Sequence, residues 1–402
     1  MGIRRLQEFQ FGQSVPLLRI PGYPMRLNRL QSLGELGQSI WLDYIRRDLI
    51  ASGELQRLIT NDGLRGMTSN PAIFEKAIAD STAYDADILA LAQQGKSSTE
   101  IYEAISQRDV QSAADAFKPL YEDSSGVDGY VSLEVNPHLA HDTQGTIAEA
   151  RRLWAALDRP NVLIKVPATS EGLPAIRQLI RDGINVNVTL LFGLPRYQEV
   201  AEAYLSGIEA RVADGKAVSS MASVASFFIG RIDALIDPIL DSLITRNDPQ
   251  ASVAKQVHGQ TAIACAKLAY NSYVAICASE RFTALANHGV RSQRLLWAST
   301  GTKNAAYSDV KYVDALIGPD TVNTVPPATL NAFRDHGTPA NHLAEDLAGS
   351  RWIMERLPEL GIDIDVLTRR LENEGVAKFI TPFDTLIQIV NKRSAQGAAS
   401  SG

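Results

Sequence analysis

The chain has 402 residues, with 39 lysines and arginines against 45 acidic residues, a net charge of -6 and a hydrophobic content of 45%. That length can bury a sizeable core, and the acidic balance, with no block of lysine and arginine, argues against nucleic acid or an anionic membrane as the main partner. No apolar run reaches membrane-spanning length, and Cys265 and Cys277 match neither a metal nor a disulfide pattern, so a reducing, cytoplasmic compartment is expected.

Residues 1–25 include Arg4, Arg5, Gly22 and Pro24 but no continuous apolar stretch, so they are expected to be a disordered tail and no secretory signal, with translation starting at Met25. A short amphipathic helix is predicted through Leu27, Leu30, Leu33 and Leu36, then a first strand at Ser39–Asp43 that ends on a carboxylate. Asp48 to Ile59 has helical spacing, and a compact strand from Met67 to Asn70 is stopped by Pro71. Residues 72–127 read as mainly helical, and Gly129–Val135 alternates as a strand with Glu134 near its end.

The next helix is predicted from Thr143 to Leu157, followed by a strand at Asn161–Pro167, a helix near 171–182, a strand at Asn185–Phe192 and a helix from Leu194 to Asp214. The run from Ser219 through Ser226 into Phe227–Arg231 forms the sixth strand. Two helices then precede Arg294, the second continuous over about 252–287, with both cysteines in it as buried small apolar residues. Strands at Arg294–Ser299 and Thr321–Pro326 bring the number to eight. Residues 328–393 have helical patterning and are expected to cover the outside of the sheet, and 394–402 read as a disordered tail.

Strand and helix alternate without a hairpin signal, which predicts parallel strands joined by helical crossovers. Eight such units point to an α/β fold, a (β/α)8 TIM barrel with extra helices, as one domain over 26–393. The alternative is a doubly wound open sheet, for which neither a Gly-x-Gly-x-x-Gly turn nor a Walker loop is found. In a barrel the chemistry sits at the C-terminal ends of the strands, where Asp43, Asn70, Glu134, Lys165, Thr189, Ser226 and Ser299 fall.

Lys165 stands out because it interrupts an apolar strand, Val162 to Pro167, with no other charge. Both faces of a parallel strand are usually covered, so its amine would be desolvated and held toward the neutral form, which can attack a carbonyl and form a Schiff base. Taken alone, a mid-strand lysine more often faces solvent or pairs with a carboxylate. His138 and His141, three apart and followed by Asp142, read as loop residues with no third ligand placed. Trp41 and Trp297 read as barrel wall.

Thr68-Ser69-Asn70-Pro71 after the second strand, with Lys165 in Ile-Lys-Val-Pro-Ala-Thr-Ser-Glu-Gly, resembles the two signature segments of transaldolases, Schiff-base enzymes on a (β/α)8 barrel. The likeness extends to Asp43, Glu134, Asn187-Val188-Thr189-Leu190-Leu191-Phe192 and Ser226-Phe227-Phe228-Ile229-Gly230-Arg231, and covers roughly residues 30 to 390. It implies transfer of a dihydroxyacetone unit between sugar phosphates, with Lys165 as the electron sink, Asp43 as the base for the C4 hydroxyl, and Glu134 acting through a water that Thr189 helps hold. A plain Glu134–Lys165 ion pair would oppose that chemistry by keeping the amine charged.

By the same resemblance Asn70 and Asn187 would bind the hydroxyls of the transferred unit, with Thr68, Ser226 and Phe228 beside them, and Arg231 the phosphate. For Asn70 the alternative is a strand-end Asx turn, and for Asp43 a cap or salt bridge. Many transaldolases carry an arginine close behind the serine of strand seven, whereas this chain reads Ser299-Thr300-Gly301-Thr302-Lys303, so Lys303 is the expected second phosphate ligand. Fructose 6-phosphate aldolases share the barrel and lysine but have glutamine and tyrosine where Glu134 and Phe228 stand, which favours transfer here. The remaining alternative is a non-catalytic phosphosugar-binding barrel. The resemblance implies no metal or organic cofactor, and a monomer or a homodimer.

Overall fold

A computed structural model describes residues 27–400, and side chains through 396; the expected tail at 1–25 and the start at Met25 lie outside the described residues. Eight parallel strands close in sequence order into a barrel: β1 (Gln38–Asp43), β2 (Gly66–Thr68), β3 (Tyr130–Glu134), β4 (Val162–Pro167), β5 (Val186–Leu191), β6 (Ser223–Phe228), β7 (Arg294–Ala298) and β8 (Thr321–Val325). The expected TIM barrel is therefore the observed fold. Helices cross over between the strands and cover the outer face while the closed barrel encloses the inner one, so β4, β5 and β6 are buried at every position.

Register decides which side chains point inward. The pairings Trp41 with Gly66, Asp43 with Thr68, Thr68 with Ser132, Glu134 with Lys165, and Lys165 with Asn187 put these residues on one face. Trp41 fills the interior below the mouth, and it does so because Gly66 has no side chain: a Cβ there would lie 2.5 Å from the indole. Gly66→Ala is expected to destabilise the fold by about 3 kcal/mol, read as a lower denaturant midpoint at unchanged slope. Trp41 thus belongs to the barrel's filling rather than its wall, whereas Trp297 faces outward against Phe227 at 6.3 Å.

Several elements are shorter than their apolar patterns suggest. The stretch 48–59 divides at Gly53, in the left-handed region at φ 80, into Arg47–Ala51 and Glu54–Asp62. The single long helix expected over 252–287 is three, Ala251–Val257, Thr261–Cys277 and Glu280–Ala286, interrupted at Gly259 and again at Ser279, whose hydroxyl caps the last. Cys265 is buried as expected, but Cys277, at the end of its helix, is only half-buried. The sixth strand stops at Phe228, so Arg231 sits in the first turn of the helix Gly230–Thr245.

The largest departure is the last helix, Ile364–Ser400, which runs through the expected break at 394. It does not lie on the barrel's outside. Glu372 pairs with Arg196 after β5 at 2.9 Å, Asp384 with His138 after β3 at 2.7 Å, and Arg393 with Asp85 beyond β2 at 2.7 Å, so the helix crosses the C-terminal mouth. The patterning of an amphipathic helix is the same whether its apolar face meets the barrel wall or the barrel mouth.

Candidate active site

Beneath that helix, the Lys165 amine is buried, donates a hydrogen bond to the Ser69 carbonyl at 3.1 Å and lies 3.7 Å from Glu134. At 3.7 Å this is an ion-pair contact and too long for a hydrogen bond. Neither Glu134 oxygen has a hydrogen-bond partner among the described residues, nor does the buried Thr189 hydroxyl on β5. Burial pushes the Glu134 carboxyl up to about 7, against the pull of Lys165, and the charge of Asp43 adds to the rise. Desolvation also raises Asp43, opposed first by Lys165 and then by the Thr68 hydroxyl, which donates to it at 2.7 Å.

Other polar groups brace this layer. The Asn187 amide donates to Ser132 at 3.0 Å and accepts from the Ser226 hydroxyl at 2.6 Å, leaving one N–H free. Thr68 shares a 2.7 Å hydrogen bond with Thr324 across the closing strands. Asn70 is the N-cap of the helix Pro71–Ala79, its side-chain oxygen accepting from the Ile73 N–H at 3.1 Å. The expected Asx-type role is thus present, and the Asn70 amide N–H groups remain as donors at the rim. After Thr189 the register of β5 shifts, and Leu190 takes a left-handed conformation at φ 58, a local strain at the mouth.

A second cluster lies across the barrel at the ends of β6 and β7. Phe228 faces the mouth while Phe227 faces outward, and the Arg231 guanidinium sits 6.0 Å from the Phe228 ring. Arg231 makes no hydrogen bond or ion pair among the described residues, and burial lowers its affinity for its proton. Lys303 is likewise unpaired; its amine is lowered by desolvation and then by Arg231, with Asp43 opposing, so it lies within electrostatic reach of both. Ser299, left-handed at φ 56, accepts the Gly230 N–H at 3.1 Å and ties the two segments together. Glu374 and Asp43 act on the two cations from beyond ion-pair distance, and a guanidinium in the first turn of a helix with an amine near it has the chemistry to hold an anion.

One lining residue carries no motif. Phe379, on the terminal helix, places its ring 5.7 Å from the Lys165 amine. His138 and His141 are instead engaged with Asp384 and Glu171, away from the buried layer.

A family model described as Transaldolase/Fructose-6-phosphate aldolase matches residues 40–390. The chain belongs to that family. It is 49% identical over 373 residues to a transaldolase of Trichodesmium erythraeum, covering 92% of this chain and 98% of that one. A Nostoc species has a relative called transaldolase 2, 50% identical over 368 residues and covering 90% and 97% of the two chains. A transaldolase of Saccharopolyspora erythraea is 45% identical over 370 residues, covering 92% and 98%. Within the transaldolase/fructose-6-phosphate aldolase barrel, this chain presents Glu134 beside the buried lysine and Phe228 at the rim.

Proposed function

We propose that the protein is a transaldolase that moves a dihydroxyacetone unit from sedoheptulose 7-phosphate to glyceraldehyde 3-phosphate, giving erythrose 4-phosphate and fructose 6-phosphate. The observation that carries this reading is a buried lysine amine beside two carboxyls whose pKa values are both raised by burial. Lys165 attacks the ketose C2 carbonyl, and the carbinolamine loses water to give a protonated Schiff base. Asp43 takes the C4 hydroxyl proton as the C3–C4 bond breaks, so the aldose leaves and the electron pair is held by the imine. The acceptor aldehyde then reacts at C3, its oxygen regains the proton from Asp43, and water releases the product.

Glu134 shuttles protons through a water shared with Thr189 during formation and breakdown of the carbinolamine; the lack of a hydrogen-bond partner for either side chain among the described residues supports this. Thr68, Asn70, Asn187 and Ser226 orient the three-carbon unit, and Phe228, Arg231, Ser299 and Lys303 form the phosphate end. No helix among the described residues is long and apolar enough to cross a membrane, and we place the enzyme in the cytoplasm.

Incubation with fructose 6-phosphate and no acceptor, followed by borohydride and peptide mapping, is expected to show a dihydroxyacetone-sized adduct on Lys165. Substrate binding without an adduct would overturn the covalent mechanism, and steady release of free dihydroxyacetone would make the protein an aldolase instead.

A further inference from the structure

The segment that follows β7 is fastened to its surroundings on both sides of Lys303. Before it, the Gly230 N–H donates to the Ser299 carbonyl, and a Cβ on Gly230 would sit 2.8 Å from that oxygen; the Thr300 hydroxyl donates to Asn323 at 3.0 Å. Directly after it, Asn304 closes a turn, its side chain accepting from the Ala306 N–H at 2.9 Å and its carbonyl from the Tyr307 N–H at 3.1 Å. The Tyr307 hydroxyl then donates to Asp237 at 2.6 Å, while the other Asp237 oxygen accepts the Gly259 N–H at 2.9 Å.

Lys311 completes the clamp. Its amine lies 3.4 Å from the centre of the Tyr307 ring, donates to the Gly259 carbonyl at 2.6 Å and is 3.5 Å from Asp233, which also accepts from Tyr312 at 2.9 Å. Gly259 is required where it stands, because a Cβ there would lie 2.5 Å from the Tyr307 hydroxyl oxygen. Asp233 and Asp237 belong to the helix Gly230–Thr245, whose first turn carries Arg231. One rigid helix therefore bears one unpaired cation directly and holds the segment bearing the other. A packing role alone would not call for carboxylates in these buried positions, since a buried charge left without its partner is costly.

We propose that Tyr307 is a positioning residue: bonded to Asp237, it fixes the turn that sets Lys303 opposite Arg231, so that the pair matches a substrate phosphate. This inference rests on the reading of Arg231 and Lys303 as the phosphate end. Tyr307→Phe removes the bond to Asp237, which keeps the Gly259 N–H, and the 3.2 Å contact with His258; initial rates with fructose 6-phosphate and erythrose 4-phosphate in the full-length variant are expected to show KM raised roughly tenfold with little change in kcat, since at the site only the orientation of Lys303 is lost. In a Lys303→Ala background the same substitution is expected to add nothing, because the two act through one contact. Borohydride trapping of phosphate-free dihydroxyacetone on Lys165 is expected to be unchanged in Tyr307→Phe.

Asn304→Ala loosens the same turn from an exposed position without touching the buried carboxylates, and is expected to raise KM in the same direction. An equal loss with and without Lys303, or a parallel loss of dihydroxyacetone trapping, would make Tyr307 merely structural and overturn the inference. Absence of any Lys165 adduct in the unaltered protein would instead remove the reaction on which it rests.

Discussion

Lys165→Ala is expected to lower turnover by roughly four to six powers of ten while leaving the affinity for fructose 6-phosphate within a few-fold of the unaltered protein. Cleavage of the C3–C4 bond leaves an electron pair on carbon, and among the residues lining the mouth only the Lys165 imine can take it up. On the proposed mechanism Asp43 and Glu134 would still bind and move protons in the variant but would have no imine to serve. The proposed phosphate end, after β6 and β7, stands two and three strands from the lost amine in the closed strand order, so binding should survive. The measurement is a pair, kcat from coupled assay and Kd from calorimetry. A comparable loss in both would mean that Lys165 organises the pocket, which its hydrogen bond to the Ser69 carbonyl makes a real alternative.

The barrel was legible because its signals are local. An apolar run bounded by turn residues marks each strand, and a polar residue at its end marks the mouth, so Asp43, Glu134, Lys165 and Thr189 could be aligned without knowing any contact. Their neighbours on nearby strands follow from register, which alternation alone does not supply: Asn187 is committed to Ser132 and Ser226, and Gly66 makes room for Trp41. The place of the terminal helix is not legible in sequence because Phe379 and Phe383 look like any apolar stripe; the ion pairs of Glu372, Asp384 and Arg393 and the Phe379 ring beside Lys165 reveal that this stripe meets the mouth. Tyr307 and Asp237 are far apart in the chain and match no motif, so their bond is visible in three dimensions alone.

Glu134→Gln is expected to slow turnover about a hundredfold to a thousandfold and to make the protein more stable at pH 8. Both effects come from one carboxyl held at about 7 instead of 4.5. In the folded protein it keeps a proton that the unfolded chain gives up above 4.5. Stability from this group is therefore complete below pH 4.5 and is lost as the pH rises through 7, by about 3 kcal/mol in all. Glutamine resembles the protonated form and avoids that loss, so the gain in melting temperature should be clear at pH 8 and vanish toward pH 5. In turnover, the unaltered enzyme should show an acid limb near pH 7, where the shuttling carboxylate forms, and the variant should lack it. A carboxylate serving only as the ion-pair partner of Lys165 predicts the reverse at pH 8, a less stable variant, since glutamine would leave a buried ammonium without its counter-charge. The sign of the stability change at pH 8 thus separates a proton carrier from a salt bridge independently of any rate.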